Sequence, residues 1–417
     1  MDMFKQIWFE FRSAVTFLWR VFSDTIYAVF HDPGVTIIFV VAGLAYPILY
    51  NFLYWNNSLT EVPIAIVDMS GSPASNRFIR EVDATQDVKV EYRCTSMLEA
   101  ERLFKAQKVH GILYFPPDYE NCLETMRDVA HISAYLDMTS FLYMKSVLSA
   151  VNMVMLDETH NIQLDRYMRM GMDNEMAWAL IQSAQYEEVK LYNESDGYGT
   201  FLIPAVLVLI LHQTLLFGTC MLMGAYYEER KRVFNENAHH WSHAVLITLG
   251  MAFAFSTIYI ALSAIDLVLV PRIFSLPHIG SMIDIMQFTV PFLLATSFFS
   301  IFVAGFMRNR ETGMVVLLST SLIFLFISGV SWPQPSIPKA WVYLSYLIPS
   351  TWGIHGYIHI SSMGATVNET IKEFNALWIL AGIYLLAATI QMYIFIKPKN
   401  KRHIYRNPRI ERYLTKS

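Results

Sequence analysis

Residues 200–224 read TFLIPAVLVLILHQTLLFGTCMLMG, a run of 25 positions without an Asp, Glu, Lys or Arg. A hydrocarbon layer about 30 Å thick is crossed by roughly 20 apolar residues in a helix that rises about 1.5 Å per residue, so this stretch is long enough to span a bilayer. Five more runs have the same character, at 35–54 (VTIIFVVAGLAYPILYNFLY), 244–270, 285–307, 313–332 and 376–396 (ALWILAGIYLLAATIQMYIFI). Where no water can bond exposed amides, only a helix satisfies every backbone group within one segment. The six runs therefore predict a polytopic α-helical membrane protein with six transmembrane helices. Composition agrees: of 417 residues, 54% are apolar, 14% aromatic and 16% charged, unlike a soluble protein. About thirty residues precede the first run and no small-x-small cleavage site follows it, so it is expected to stay as an anchor and not to be a signal peptide.

An even number of spans puts both termini on one side. The tail, residues 397–417, carries Lys397, Lys399, Lys401, Arg402, Arg406, Arg409, Arg412 and Lys416 against Glu411 alone, which marks that side as cytoplasmic. Arg230, Lys231 and Arg232 after the second span, and Arg308 and Arg310 after the fourth, fall on the same side. The expected location is the inner (cytoplasmic) membrane of a cell. The opposite lobe, 56–198, holds twelve Lys or Arg against twenty-two Asp or Glu, a formal charge of −10. An acidic lobe offers phosphates nothing to bind, so a nucleic-acid partner is not expected. Of three cysteines, Cys220 lies in a span, and Cys94 and Cys122 lie in the lobe, either bridged or reduced.

Residues 1–34 precede the first span (35–55). Phe4, Ile7, Trp8, Phe11, Val15, Leu18, Phe22 and Ile26 recur at helical spacing, while Lys5, Glu10, Arg12, Arg20 and Asp24 make spanning too costly. This predicts a helix lying in the membrane interface, with a soluble helix packed on a partner as the other possibility. HDPG at 31–34 then turns the chain. The lobe alternates strand and helix: strands at 62–68, 88–94, 110–116 and 129–137, helices over SPASNRFIREV, at 96–107 with Ser96 and Glu99 as a capping box, and from Asp118. Such alternation predicts an inserted extracytoplasmic α/β sandwich with some parallel strands. Residues 139–192 read as helix broken near Gly171. Their methionines, among them Met153, Met168 and Met176, either fill gaps between helices or form a pliable surface for an apolar substrate.

No Gly-Lys pair occurs, so the phosphate-cradling loop GxxxxGK[ST] is absent, as are HExxH, CxxC and GxSxG. The chain is not expected to be an enzyme, nor to hold a cofactor or metal itself. His355 and His359 have chelating spacing but lack a third ligand. His212, Asp266 and Asp284 are the intramembrane polar candidates. The two aspartates sit near the outward ends of the third and fourth runs and are expected to reach the headgroup region; His212 is placed to face the bundle interior.

The fifth run ends in SGVSWPQPSIP (328–338). Pro333, Pro335 and Pro338 lack amide protons and restrict the residues before them, which places the helix end near Trp332. Residues 339–363 are apolar but divided by Pro349 into halves of about ten residues, each too short to span. A re-entrant helix pair before the last span is predicted over 333–363, with Gly329 and the four prolines as the outer-gate candidates.

The stretch FISGVSWPQPSIPKAWVYLSYLIPSTWGIHGYIHISSMGA resembles the C-terminal signature of type-2 ABC exporter permeases. IAIVDMSGSPASNRFI, AERLFKAQKVHGILYFPPDYE and LYNESDGYGTFLIPAVLVLI resemble counterparts in the subgroup with a large extracytoplasmic domain after the first span. The resemblance covers nearly the whole chain. It implies an export permease whose helices two to six occupy 199–396, powered by a cytoplasmic ABC ATPase subunit that binds ATP and Mg, and paired with a second permease, as a homodimer or with a paralogue. A periplasmic adaptor and membrane lipids are further implied partners. The loop 227–243 would receive the ATPase movement; there Glu228, Glu229 and Arg230 fit the family's acidic-basic run, whereas Lys231 and Arg232 depart from it. Two other classes compete: a membrane-anchored receptor whose lobe binds a ligand, which predicts no ATPase, and a membrane-embedded enzyme, for which convergent polar groups are lacking.

Overall fold

A computed structural model of the chain describes residues 2–125, 129–182, 189–194, 196–228 and 240–396. The chain divides into two compact units, Met1–Trp55 with Leu191–Ser417, and Asn56–Lys190. The second ends short of the boundary at 198 expected from the sequence. The reason is local: residues 191–194 and 196–197 run directly into a helix of the first unit, with Asn193 closing a turn on Gly197 through hydrogen bonds of 3.1 and 3.2 Å.

The helical unit begins with α1 (Asp2–His31). Val21, Thr25 and Val29 are buried on one face, while Trp8, Phe11, Val15, Trp19 and Phe30 lie exposed on another and Arg12, Arg20 and Asp24 face outward as well. Asp32 stops α1 and starts α2 (Pro33–Thr36), accepting from the amides of Gly34 and Val35. Pro33 suits the first helical position, whose amide would be unpaired anyway. A π-helical turn, Ile37–Ala42, joins α2 to α3 (Gly43–Leu53), so that Pro33–Leu53 forms one apolar helix.

The second unit is a four-stranded sheet in the order β2-β1-β3-β4, with β1 (Val62–Asp68), β2 (Val88–Cys94), β3 (Gly111–Phe115) and β4 (Ser133–Leu136). β1 runs parallel to both neighbours, and β4 is antiparallel to β3. β1 is covered on both faces, which is why VPIAIVD reads as a continuous apolar run. Ile64, Ile66, Leu113 and Phe115 pack with Phe78 and Val82 of α4 (Pro73–Asp83), and with Val147, Val151 and Val154 of α7 (Phe141–Arg169). On the other face Ala65, Val67 and Ile112 meet Ala100 of α5 (Met97–Lys105). Ser96 caps α5, but the Glu99 carboxylate accepts from Thr95, one residue before the expected box partner. α6 (Tyr119–Thr125) and α8 (Asn174–Ile181) complete the unit; Gly171, at φ +83°, separates α7 from α8.

The helical unit resumes with α9 (Tyr198–Glu228), almost wholly buried, and α10 (Trp241–Ala264), which packs on α1, with Phe17 set edge-on to His243. A second π-helical turn, Ile265–Leu269, leads into α11 (Val270–Ile273). α12 (Met282–Ala304), α13 (Arg310–Ile327), α14 (Lys339–Ser345), α15 (Pro349–Ser361) and α16 (Ile371–Ile396) follow. Among the described residues six helices are long and apolar enough to cross a membrane, each overlapping one of the six runs. α13 ends at Ile327, five residues before the predicted end at Trp332. The helix stops at Gly329, whose φ of +87° is the left-handed conformation that closes helices and that residues with a Cβ avoid; the prolines come afterwards.

Candidate functional site

Asn309 caps α13 by accepting from the Thr312 amide, which sets Arg310 as the first helical residue. From there its guanidinium reaches two other helix ends. Nη2 lies 2.6 Å from Asp32 Oδ2 and Nη1 donates to Asp32 Oδ1 at 3.2 Å, the bidentate pairing that a planar guanidinium favours. Nε lies 3.6 Å from Glu228 Oε2, and the Arg310 amide donates to Glu228 Oε1 at 2.9 Å. Asp32 thus serves twice, as N-cap of α2 and as ion partner of α13, and its charge is favourable at a helix N-terminus. Glu228 is the last residue of α9, and Gly224 one turn earlier permits the approach: a Cβ there would stand 2.8 Å from the Arg310 amide nitrogen.

One cation and two carboxylates therefore tie α2, α9 and α13 together at one end of the helices. These groups are partly exposed, so each pair contributes little stability alone, about 0–1 kcal/mol. Their value is geometric, because three helix ends cannot shift independently while the cluster is closed. Of the loop candidates only Glu228 is described; Glu229, Arg230, Lys231 and Arg232 lie outside the described residues, as does the basic tail. Arg310 entered the sequence reading only as a topology marker. Asn309 and the Asp32-Pro33 pair are cap signals that the sequence reading did not use, the latter being taken as a turn; a partner 278 residues away leaves no local signal.

The intramembrane candidates are dispersed. His212 is fully buried on α9, its ring between Phe299 and Phe324, and neither nitrogen has a hydrogen-bond partner among the described residues. Asp266 lies in the second π-helical turn, fully buried, and neither carboxylate oxygen has a hydrogen-bond partner among the described residues. The turn and the packed neighbours enclose it; the Tyr357 hydroxyl of α15 donates to the adjacent Leu267 carbonyl at 2.8 Å. Asp284 is half-buried at the start of α12 and accepts from the Val367 amide.

Around the gate candidates, Pro333 precedes a single 3-10 turn at Gln334–Ser336 that includes Pro335; Pro338 caps α14 and Pro349 opens α15. α14 is largely exposed, whereas α15 buries Ser350, Ile354, Tyr357 and Ile360 among α9, α12 and α16. His355 donates to the Ser328 carbonyl at 2.8 Å, binding α15 to the end of α13, which commits that ring to a structural bond. No group of three metal-ligating side chains occurs among the described residues. No disulfide joins Cys94 and Cys122.

No curated protein matches the chain. Residues 33–390 match the family described as ABC-2 family transporter protein, which covers five of the apolar helices, most of the sixth, and the ion cluster's Glu228 and Arg310. The chain belongs to that family, and is a multi-pass membrane permease component of an ABC transporter.

Proposed function

We propose that the chain is the permease subunit of an ABC exporter, moving substrate out of the cytoplasm or the inner leaflet, driven by a separate cytoplasmic ATPase that binds ATP and Mg. It works beside a second permease copy or a paralogue in the inner membrane, with both termini cytoplasmic. The acidic α/β unit lies on the extracytoplasmic side, where a periplasmic adaptor would meet it. α1 rests in the interface, its exposed tryptophans and phenylalanines toward lipid. α14 and α15, about 10 and 20 Å long by helical rise, enter the bilayer without crossing it and form the outer gate.

The observation that carries the coupling step is the Asp32–Arg310–Glu228 cluster. α9 ends at Glu228, within the expected coupling segment 227–243, so a push on that segment reaches α2 and α13 through the same guanidinium. A two-state response needs contacts that differ between states, and a closed or opened ion cluster supplies such a difference. Replacing Arg310 by Gln is expected to lower ATP-driven export roughly tenfold while the ATPase still assembles. Unchanged export would remove the cluster from the coupling path. Repeated failure to recover an ATPase with the permease from intact membranes would favour the receptor reading.

A further inference from the structure

The α/β unit contains a cleft of about 470 Å³ between α6 and one face of α7, a volume usual for small-molecule sites. Met155, Glu158, Ile162 and Arg166 line it from α7, three or four residues apart and so on one side of the helix. Cys122 and Leu123 line the α6 side.

The cleft is neutral at one end and cationic at the other. Glu158 is 4% exposed, and Arg77 takes its carboxylate bidentately at 2.6 and 3.1 Å, so that pair adds no net charge. Eight residues later, about 12 Å along the axis, Arg166 donates from Nη2 to the Leu123 carbonyl at 2.6 Å. No carboxylate among the described residues pairs with it, and the neighbouring Asp165 is taken by Arg169 at 2.7 Å. The bond to Leu123 fixes the guanidinium at the end of α6 and leaves its other N–H groups able to donate. Side-by-side donors on a planar guanidinium match the two oxygens of a carboxylate. Between the ends, Leu123, Met155 and Ile162 make the wall apolar. The negative excess of residues 56–198 does not cancel the local charge, because charges further off than about 8 Å are largely screened at physiological ionic strength.

We propose that this cleft binds a medium-chain carboxylate, its head on Arg166 and its alkyl chain along Ile162, Leu123 and Met155. A single cation closing one end of an apolar trough suits a ligand with one anionic head and no second charge. The site is built wholly within the α/β unit and does not depend on the permease reading.

Cys122 supplies the readout in the purified full-length chain. Octanoate is expected to slow alkylation of Cys122 by N-ethylmaleimide several-fold, located by peptide mass. Octanamide, of the same length but uncharged, should give no protection at that concentration. Equal protection by the amide, or none by octanoate, overturns the proposal. Each buried methylene is worth roughly fourfold in affinity, so hexanoate should need about tenfold more ligand for equal protection. Equal potency of the two acids would remove the alkyl chain from the cleft. Arg166→Gln retains an N–H donor without the charge and should weaken octanoate protection roughly tenfold, with thermal unfolding as the control for folding. Ile162→Glu places a carboxylate four residues before Arg166, the spacing of a helical ion pair, and should abolish protection by occupying the guanidinium. Wild-type protection in both variants overturns the assignment of Arg166.

Discussion

The two units treat buried polarity in opposite ways. In the α/β unit the buried charges are paired: Glu158 with Arg77, and Asp137 with His110 at 2.9 Å, the ring stacked on Tyr143. In the helical unit His212 and Asp266 are buried with no partner among the described residues. Between its buried side chains the bonds formed include small hydroxyl pairs, Tyr259 to Thr214 at 3.0 Å and Ser256 with Ser297 at 3.3 Å. A soluble fold is compared with an unfolded chain in water, so an unpaired buried charge weighs fully against it. A helix bundle in lipid is already committed to burial, and there a polar side chain at mid-depth reads as function before stability.

That contrast can be broken by substitution. The largest effect is expected from Arg77→Ala, which leaves Glu158 buried without a cation; about 3 kcal/mol should be lost, at the lower end for broken buried pairs because half of Arg77 faces solvent. Hydrogen exchange of the β1 and β3 amides would register it, and unchanged protection would show that Glu158 needs no partner. Next, Gly224→Val drives a side chain into the Asn309–Arg310 backbone and should cost about 2 kcal/mol by overpacking. Thermal unfolding in detergent should fall, and a tolerated valine would mean that α9 and α13 do not approach so closely. His212→Leu should leave unfolding within about 1 kcal/mol of the parent or raise it, since no hydrogen bond is removed. A large loss would reveal a partner from water or a second subunit.

The smallest effect concerns pH. Bonds from Thr139, and then from His110, lower the Asp137 pKa in the folded unit. The folded state therefore binds its proton less readily than the unfolded one, whose carboxyl titrates near 3.9. This contribution is present above that value and disappears as pH falls through the folded pKa. Protection of the β3–β4 amides should decline in that acid window, and Asp137→Asn should flatten the decline; an identical slope in the variant would exclude the pair as its source.

Hydropathy runs along the chain in one dimension, so all six apolar helices were legible, within a few residues at most ends. β1 was legible because it is sandwiched, α4 and α5 because their serine caps precede amphipathic periods. β4 was expected within 129–137 and occupies only Ser133–Leu136; its antiparallel pairing to β3 was not legible, since a four-residue edge strand carries no signal of its direction. Gly329 outranked the prolines as the stop of α13 because a positive φ acts on its own residue, whereas Pro acts on its neighbours. The Arg310 cluster and the enclosure of Asp266 both depend on which helices meet, and that information is distributed over residues hundreds of positions apart.

Each of the two π-helical turns holds one residue more than an α-turn would, and one residue is worth about 100° of rotation. Removing a single amino acid from 37–42 or 265–269 would therefore let the helix relax to ordinary winding and continue, with Phe39 or Asp266 displaced but the flanking faces kept. The same deletion inside α9 would swing every later side chain a quarter-turn away from its neighbour. Length, and not only composition, is thus a variable that this chain can edit cheaply at two places and nowhere along its central helix.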